Sequence, residues 1–150
     1  MEIKRIKMAD VSGKKQTSRI ACASGEILLS KKTYEAVKKG NVPKGDIFAT
    51  AQIAAINAVK QTQFLIPLCH NVPVFFTDVS FNLSKNRIKV EVCVKTDAKT
   101  GVEMEAMTGV SVALLTLYDM LKPIDRTLVI SDIKLLLKSG GKSGLWKREK

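Results

Sequence analysis

Aromatic residues make up only 5% of this chain of 150 residues, and there is a single histidine. So few aromatics argue against a surface that stacks bases, and no aromatic pair falls on Arg87–Thr96, where a plait would display one to RNA. Cys22, Cys69 and Cys93 are odd in number and widely spaced, which suggests no disulfide framework and reduced thiols in the cytoplasm. One histidine beside one cysteine, with no second pair at zinc spacing, gives no expectation of a metal site. No uninterrupted apolar run is long enough to cross a bilayer, so no membrane span is expected. Met1-Glu2-Ile3-Lys4-Arg5 leads into polar sequence without an apolar core, so a secretory leader is not expected either. Repeats, low-complexity tracts and Pro/Gly-rich linkers are also missing, and one domain over 1–150 is the economical reading.

What is present in excess is positive charge. Lysine and arginine outnumber aspartate and glutamate by 25 to 14, a formal net charge of +11. Such an excess attracts polyanions: nucleic acid, a membrane surface or a phosphorylated small molecule. Composition does not choose among them. The terminal Lys147-Arg148-Glu149-Lys150 reads as a frayed, solvated tail.

Patterning predicts the order β, α, α, β, β, α, β. Residues 1–18 read as irregular. Arg19 to Ser30 reads as extended, broken at Ser24-Gly25 by a turn or bulge. Lys31 to Lys39 reads as a short helix stopped by Gly40. Asp46 can cap a helix running to about Thr62, with Ala49, Ile53, Ile56 and Val59 as its apolar stripe. Val74 to Leu83 and Arg87 to Thr96 alternate at period two around Ser84-Lys85-Asn86, the pattern of a hairpin. Glu105 to Leu121 reads as a long helix ending before Pro123. Leu128 to Leu137 reads as a well-buried strand. The order fits an α+β class, a ferredoxin-like split βαβ plait with an antiparallel sheet and helices on one face. Fold alone does not fix function.

Five groups could carry chemistry. Lys44, just before the capping Asp46, is either a surface lysine or a charge beside backbone N–H groups suited to an anionic oxygen. Leu68-Cys69-His70 is either a partly buried loop or a polar contact to a ligand. Glu103 and Glu105 share a direction only if that stretch is extended, where paired carboxylates could hold a base edge or move protons. Otherwise they simply favour a helix N-terminus. Asp119 and Lys122, three apart at a helix end, share a face and are either an exposed intrahelical pair or an acid/base pair, and the apolar run before them suggests a buried helix. Lys138-Ser139-Gly140-Gly141-Lys142-Ser143-Gly144 ends like a phosphate loop, but Leu136 stands where its first glycine belongs and no long helix can follow. It remains a basic, glycine-rich segment able to contact phosphate.

In this order and spacing the segments are recognisable. Met8-Ala9-Asp10-Val11-Ser12, Lys44-Gly45-Asp46, Leu65-Ile66-Pro67-Leu68-Cys69-His70, Thr100-Gly101-Val102-Glu103-Met104-Glu105-Ala106, Tyr118-Asp119-Met120 and Lys138 to Gly144 resemble the cyclic pyranopterin monophosphate synthase family, also called molybdenum cofactor biosynthesis protein C. The resemblance covers nearly the whole chain. It implies a lyase that converts 3′,8-cyclo-7,8-dihydro-GTP into cyclic pyranopterin monophosphate with release of pyrophosphate. By position Lys44, Asp119 and Lys122 match catalytic residues. Leu68, Cys69, His70, Met104 and Glu105 match substrate-binding segments, with Glu103 beside them, and Asp10, Lys14, Arg19 and Lys138 match further pocket residues. The resemblance also implies a ferredoxin-like fold and a homohexamer built from dimers, with pockets at subunit boundaries. The expected partner is the cyclised GTP substrate, with no nucleic acid, no membrane, no metal and no resident cofactor, although magnesium could accompany the triphosphate. Gln52 and Gln61 stand where the family usually has arginine, and Asn71 where it usually has proline. These departures bear on helix-surface or subunit contacts more than on chemistry.

Overall fold

A computed structural model describes every residue except Glu2 and Lys150. The elements run β1 (Thr17–Leu28), α1 (Lys31–Lys38), α2 (Ile47–Leu65), β2 (Phe76–Ser84), β3 (Arg87–Ala98), α3 (Glu103–Leu121), β4 (Val129–Ser139) and β5 (Trp146–Lys147). They form one antiparallel sheet in the order β2-β3-β1-β4-β5. Apart from the short β5, this is the expected ferredoxin-like arrangement. Alternation divides the sheet into two faces. Ala21, Ala23 and Ile27 of β1 and Ile88, Val90, Val92 and Val94 of β3 face the helices and are fully buried. They pack against Val110, Ala113, Leu114 and Leu117 of α3 in a single core.

Local chemistry explains most boundaries. The Asp46 carboxylate accepts from the N–H groups of Phe48 and Ala49, both at 3.0 Å, so α2 starts where the cap predicts. The β2–β3 hairpin turns at Lys85-Asn86, with Asn86 at φ 61°, the left-handed conformation that asparagine tolerates best among non-glycine residues. Gly109 lets α3 sit close on its neighbours. A Cβ there would stand 2.8 Å from Val59 Cγ2 and 3.1 Å from Val92 Cγ1.

Several expectations need correction. β1 runs unbroken against β3, so no turn divides it, while the bulge expected at Ser24-Gly25 is present as a register shift against β4. The buried stripe of α2 is Ala51, Ala55, Ala58, Val59 and Thr62, whereas Ala49 and Ile53 are exposed, because small side chains let α2 lie close to α3. α3 begins at Glu103, and β4 is half-buried throughout most of its length, since only the two-residue β5 covers its outer edge. The basic tail is held as far as Arg148, whose Nε donates to Leu135 O at 2.7 Å; Lys150 lies outside the described residues. α3 is long and apolar enough by composition to cross a membrane, yet its apolar residues form the centre of the core.

The cysteines give the largest correction. Cys22 and Cys93 are direct cross-strand partners in β1 and β3, with Cα atoms 4.1 Å apart, and their sulfurs are bonded. Both point to the face of the sheet away from the helices. Only Cys69 is a free thiol.

Candidate active site

At the C-terminal end of α3 three charged side chains converge. Lys122 Nζ lies 2.8 Å from Asp119 Oδ1, and Lys44 Nζ lies 2.9 Å from Asp119 Oδ2. Lys44 also donates to the Asp119 carbonyl at 2.9 Å. The lysine therefore leaves its own α2 N-terminus, where Asp46 already satisfies the backbone, and reaches the negative end of α3. The helix is buried as expected, but the pair at its end is exposed: Asp119 is 57% and Lys122 53% exposed. Hydrogen bonds from Lys122 and then Lys44 hold the Asp119 carboxyl down at about 2. Exposed ion pairs contribute little to stability, so a carboxylate shared by two lysines is better understood as a prepared site than as a brace. Beside it Tyr118, Lys122, Pro123 and Arg126 line a small cavity of about 380 Å³.

The second cluster lies where β1, β4 and the start of α3 meet. A cavity of about 760 Å³ is walled by Lys14, Lys15, Arg19, Lys138 and Lys142, against one carboxylate, Glu103. Five cations to one anion give this cavity a charge suited to a polyanion. Lys138 Nζ donates to Glu103 Oε1 at 2.7 Å, tying the end of β4 to the first turn of α3. Burial alone would raise the Glu103 carboxyl. The Lys138 hydrogen bond, a helix N–H and the Lys138 and Arg19 charges outweigh it, and the group is held below its ordinary range. Arg19 donates to the carbonyls of Ala98 and Lys99 at 3.1 and 3.2 Å, which fixes its guanidinium at the cavity edge. Gly141, at φ 70°, folds over that guanidinium, and a Cβ there would meet Arg19 Nη1 at 2.7 Å.

The expected pairing of Glu103 with Glu105 does not form. Both are in the first turn of a helix, where residues two apart point to different sides. Glu103 faces the cavity, while Glu105 is buried at 5% exposure. Burial raises the Glu105 carboxyl, a helix N–H offsets part of this, and the Glu103 charge adds to the rise. The Cys69 thiol is also raised, first by burial and then by the Glu105 charge. His70 Nε2 lies 2.6 Å from the Ala9 carbonyl. A carbonyl can only accept, so Nε2 carries the hydrogen.

Lys14, Arg19, Glu103 and Lys138 thus share one cavity, and Lys44, Asp119 and Lys122 share the other site. Leu68, Cys69, His70, Met104 and Glu105 line neither cavity. Lys15 and Arg126 were missed as site residues, whereas Lys142 falls in the glycine-rich segment expected to contact phosphate and does line the cavity.

The sequence pattern of the MoaC family matches residues 8–141, a span that holds both clusters apart from Lys142 and Ser143. The chain belongs to the MoaC family. Among its relatives, a cyclic pyranopterin monophosphate synthase of Thermoanaerobacter pseudethanolicus is 50% identical over 147 residues, covering 97% of this chain and 93% of the relative. A protein of the same name from Clostridium acetobutylicum is 49% identical over 146 residues, covering 96% and 91%. One from Trichodesmium erythraeum is 50% identical over 141 residues, covering 93% and 85%. An RNA-binding plait gains no support. The outward residues of β3 are Arg87, Lys89, Glu91, Cys93, Lys95 and Asp97, with no aromatic side chain for a base to stack on.

Proposed function

We propose that this MoaC-family chain is a cyclic pyranopterin monophosphate synthase, converting 3′,8-cyclo-7,8-dihydro-GTP to cyclic pyranopterin monophosphate and pyrophosphate in molybdenum cofactor biosynthesis. The observation that carries the reading is the matched pair of sites: a polycationic cavity and a separate lysine–aspartate–lysine bridge. The cavity suits the triphosphate, whose charge Lys14, Arg19 and Lys138 would neutralise as pyrophosphate leaves. The bridge supplies two ammonium groups on one carboxylate, the equipment for the proton transfers of ring opening and reclosure. Glu103, held ionised, would contact the base end, while Glu105, Cys69 and His70, which line neither cavity, enter this reading through the family resemblance.

One chain does not bring these parts together. Asp119 lies about 24 Å along α3 from Glu103, at 1.5 Å per residue. That is too far for one substrate to bridge. The proposal therefore includes an oligomer, a homohexamer built from dimers, in which the bridge of one copy faces the cavity of another. Ile53 and Phe64 of α2 and Leu115 of α3 are 63%, 78% and 59% exposed, apolar surface that contact between subunits would cover. The reading requires no resident cofactor, and magnesium would enter only with the triphosphate. A cytoplasmic location follows from a GTP-derived substrate, although the Cys22–Cys93 bond removes the thiol argument for it.

The test is incubation of the purified protein with 3′,8-cyclo-7,8-dihydro-GTP, following pyrophosphate and the oxidised pterin. Wild type should form both, and folded Lys44→Ala and Lys122→Ala proteins should form neither. Absence of both products from wild type would overturn the assignment.

A further inference from the structure

The wall of the cationic cavity is partly made by chain without regular secondary structure. Gly13, Lys14 and Lys15 line the cavity, yet they belong to a strap, residues 9–16, outside the sheet and the helices. Nothing in the backbone pairing of the strap would hold two exposed lysines over a cavity that already contains three other cations. Mutual repulsion favours the strap swinging away.

Three side chains oppose that. Lys99 Nζ donates to the Ser12 carbonyl at 2.8 Å. His70 Nε2 donates to the Ala9 carbonyl at 2.6 Å, and Gln16 Nε2 to the Asp97 carbonyl at 2.9 Å. Within the strap, Asp10 Oδ1 accepts from the Ser12 N–H at 2.9 Å and the Ser12 hydroxyl at 2.6 Å, closing a tight turn. The Ser12 hydrogen bonds hold the Asp10 carboxyl below its ordinary range, and the His70 and Lys99 charges add to this. Lys99 holds the middle of the strap, two residues before Lys14. Its own backbone carbonyl is the acceptor for Arg19 Nη2. One residue therefore fixes cavity cations on both sides: Lys14 through the strap, Arg19 through its carbonyl.

We infer that Lys99 is a positioning residue for the polyanion site, clasping the 9–16 strap so that Lys14 and Lys15 face the bound phosphates. The inference rests on the polyanion reading of the cavity and not on the identity of the reaction. Lys99 does not line the cavity, so its charge acts through the Ser12 carbonyl and not by touching the ligand. Loss of the clasp frees the strap, and binding must then restore its order, which weakens affinity without altering the groups that perform the chemistry.

The experiment compares wild type with Lys99→Met, Lys99→Arg and Lys85→Met, the last a control in the distant β2–β3 turn. Inorganic pyrophosphate binding is measured by calorimetry, and amide hydrogen exchange is followed over residues 9–16. Lys99→Met should weaken pyrophosphate binding about three- to tenfold and speed exchange in the strap. Lys99→Arg, which can still donate to Ser12, should restore both, and Lys85→Met should match wild type. Where turnover is measured, KM should rise for Lys99→Met while kcat stays within about twofold. Unchanged affinity, or faster exchange without weaker binding, would overturn the inference. Because pyrophosphate affinity and exchange need no turnover, an inactive wild type would count against the proposed reaction and leave the clasp still decided by these two measurements.

Discussion

Glu103 opens α3 and Asp119 nearly closes it, so the two residues are separated by about 24 Å along the axis of one helix. Each is held ionised by lysine: Glu103 by Lys138 at 2.7 Å, Asp119 by Lys122 and Lys44 at 2.8 and 2.9 Å. A helix cannot bend its ends together, so a substrate that needs both must lie between two copies of the chain. This separation turns the assembly from an accessory property into a requirement of the proposed chemistry.

Subunit complementation follows from that requirement. Lys122→Ala breaks the bridge and Lys138→Ala breaks the cavity, and each protein alone should be nearly inactive. After unfolding and refolding together in equal amounts, half the pairs are mixed and each mixed pair holds one intact site of two. Turnover should then recover to about a quarter of wild type. Recovery no greater than the sum of the separate variants would mean that both clusters act within one chain or at different steps.

Asp119→Asn keeps the shape of the bridge and removes its charge. Lys44 and Lys122 lose the carboxylate that sets their positions, and kcat should fall by about 100-fold or more. Because all three side chains are substantially exposed, the thermal midpoint should barely move. The depressed Asp119 group contributes its part above the ordinary value of 3.8 and loses it only as pH falls towards about 2. Activity lost on mild acidification, near pH 5, must therefore have another cause. A kcat for Asp119→Asn within a few-fold of wild type would remove the carboxylate from the mechanism.

The fold was legible where local chemistry decides it. Asp46 announced its helix, and alternation over Arg87–Thr96 announced its strand. Ala51, Ala55 and Ala58 misled because hydropathy weights large side chains, whereas close helix packing selects small ones. Of the site, the residue types were readable but not their partners. Lys44 was readable only as a surface lysine or an anion contact beside the α2 cap, and it reaches Asp119, far along the chain. Glu103 and Glu105 seemed a pair until the helix start set them on different sides. The strap contacts of Lys99 and His70 carried no pattern at all, since they run to backbone carbonyls that any residue provides.

Glu105 gives a pH prediction of opposite sign to Asp119. Its folded carboxyl is raised by burial, so between the ordinary value of 4.5 and the raised one the folded state binds more protons than the unfolded chain. Stability therefore falls as pH rises through that window. Glu105→Gln removes the titration. Its denaturation midpoint should be flatter with pH than that of wild type from about pH 4.5 upward. Parallel profiles for the two proteins would show that the buried carboxyl is compensated in the folded state.

The Cys22–Cys93 bond makes a prediction that thiol counting can settle. It joins residues 71 apart in sequence, and closing a loop of that size restricts the unfolded chain by about 4 kcal/mol in the chain-entropy estimate. Protein purified without reductant and unfolded in denaturant should titrate one thiol, Cys69, and three after reduction. The Cys22→Ser, Cys93→Ser double variant should unfold at lower denaturant than oxidised wild type and close to reduced wild type. Because both cysteines lie on the sheet face away from the helices, pyrophosphate affinity should be the same in all three forms. Three thiols in air-exposed protein would show that the facing cysteines stay reduced in solution, and the double variant would then match wild type under every condition.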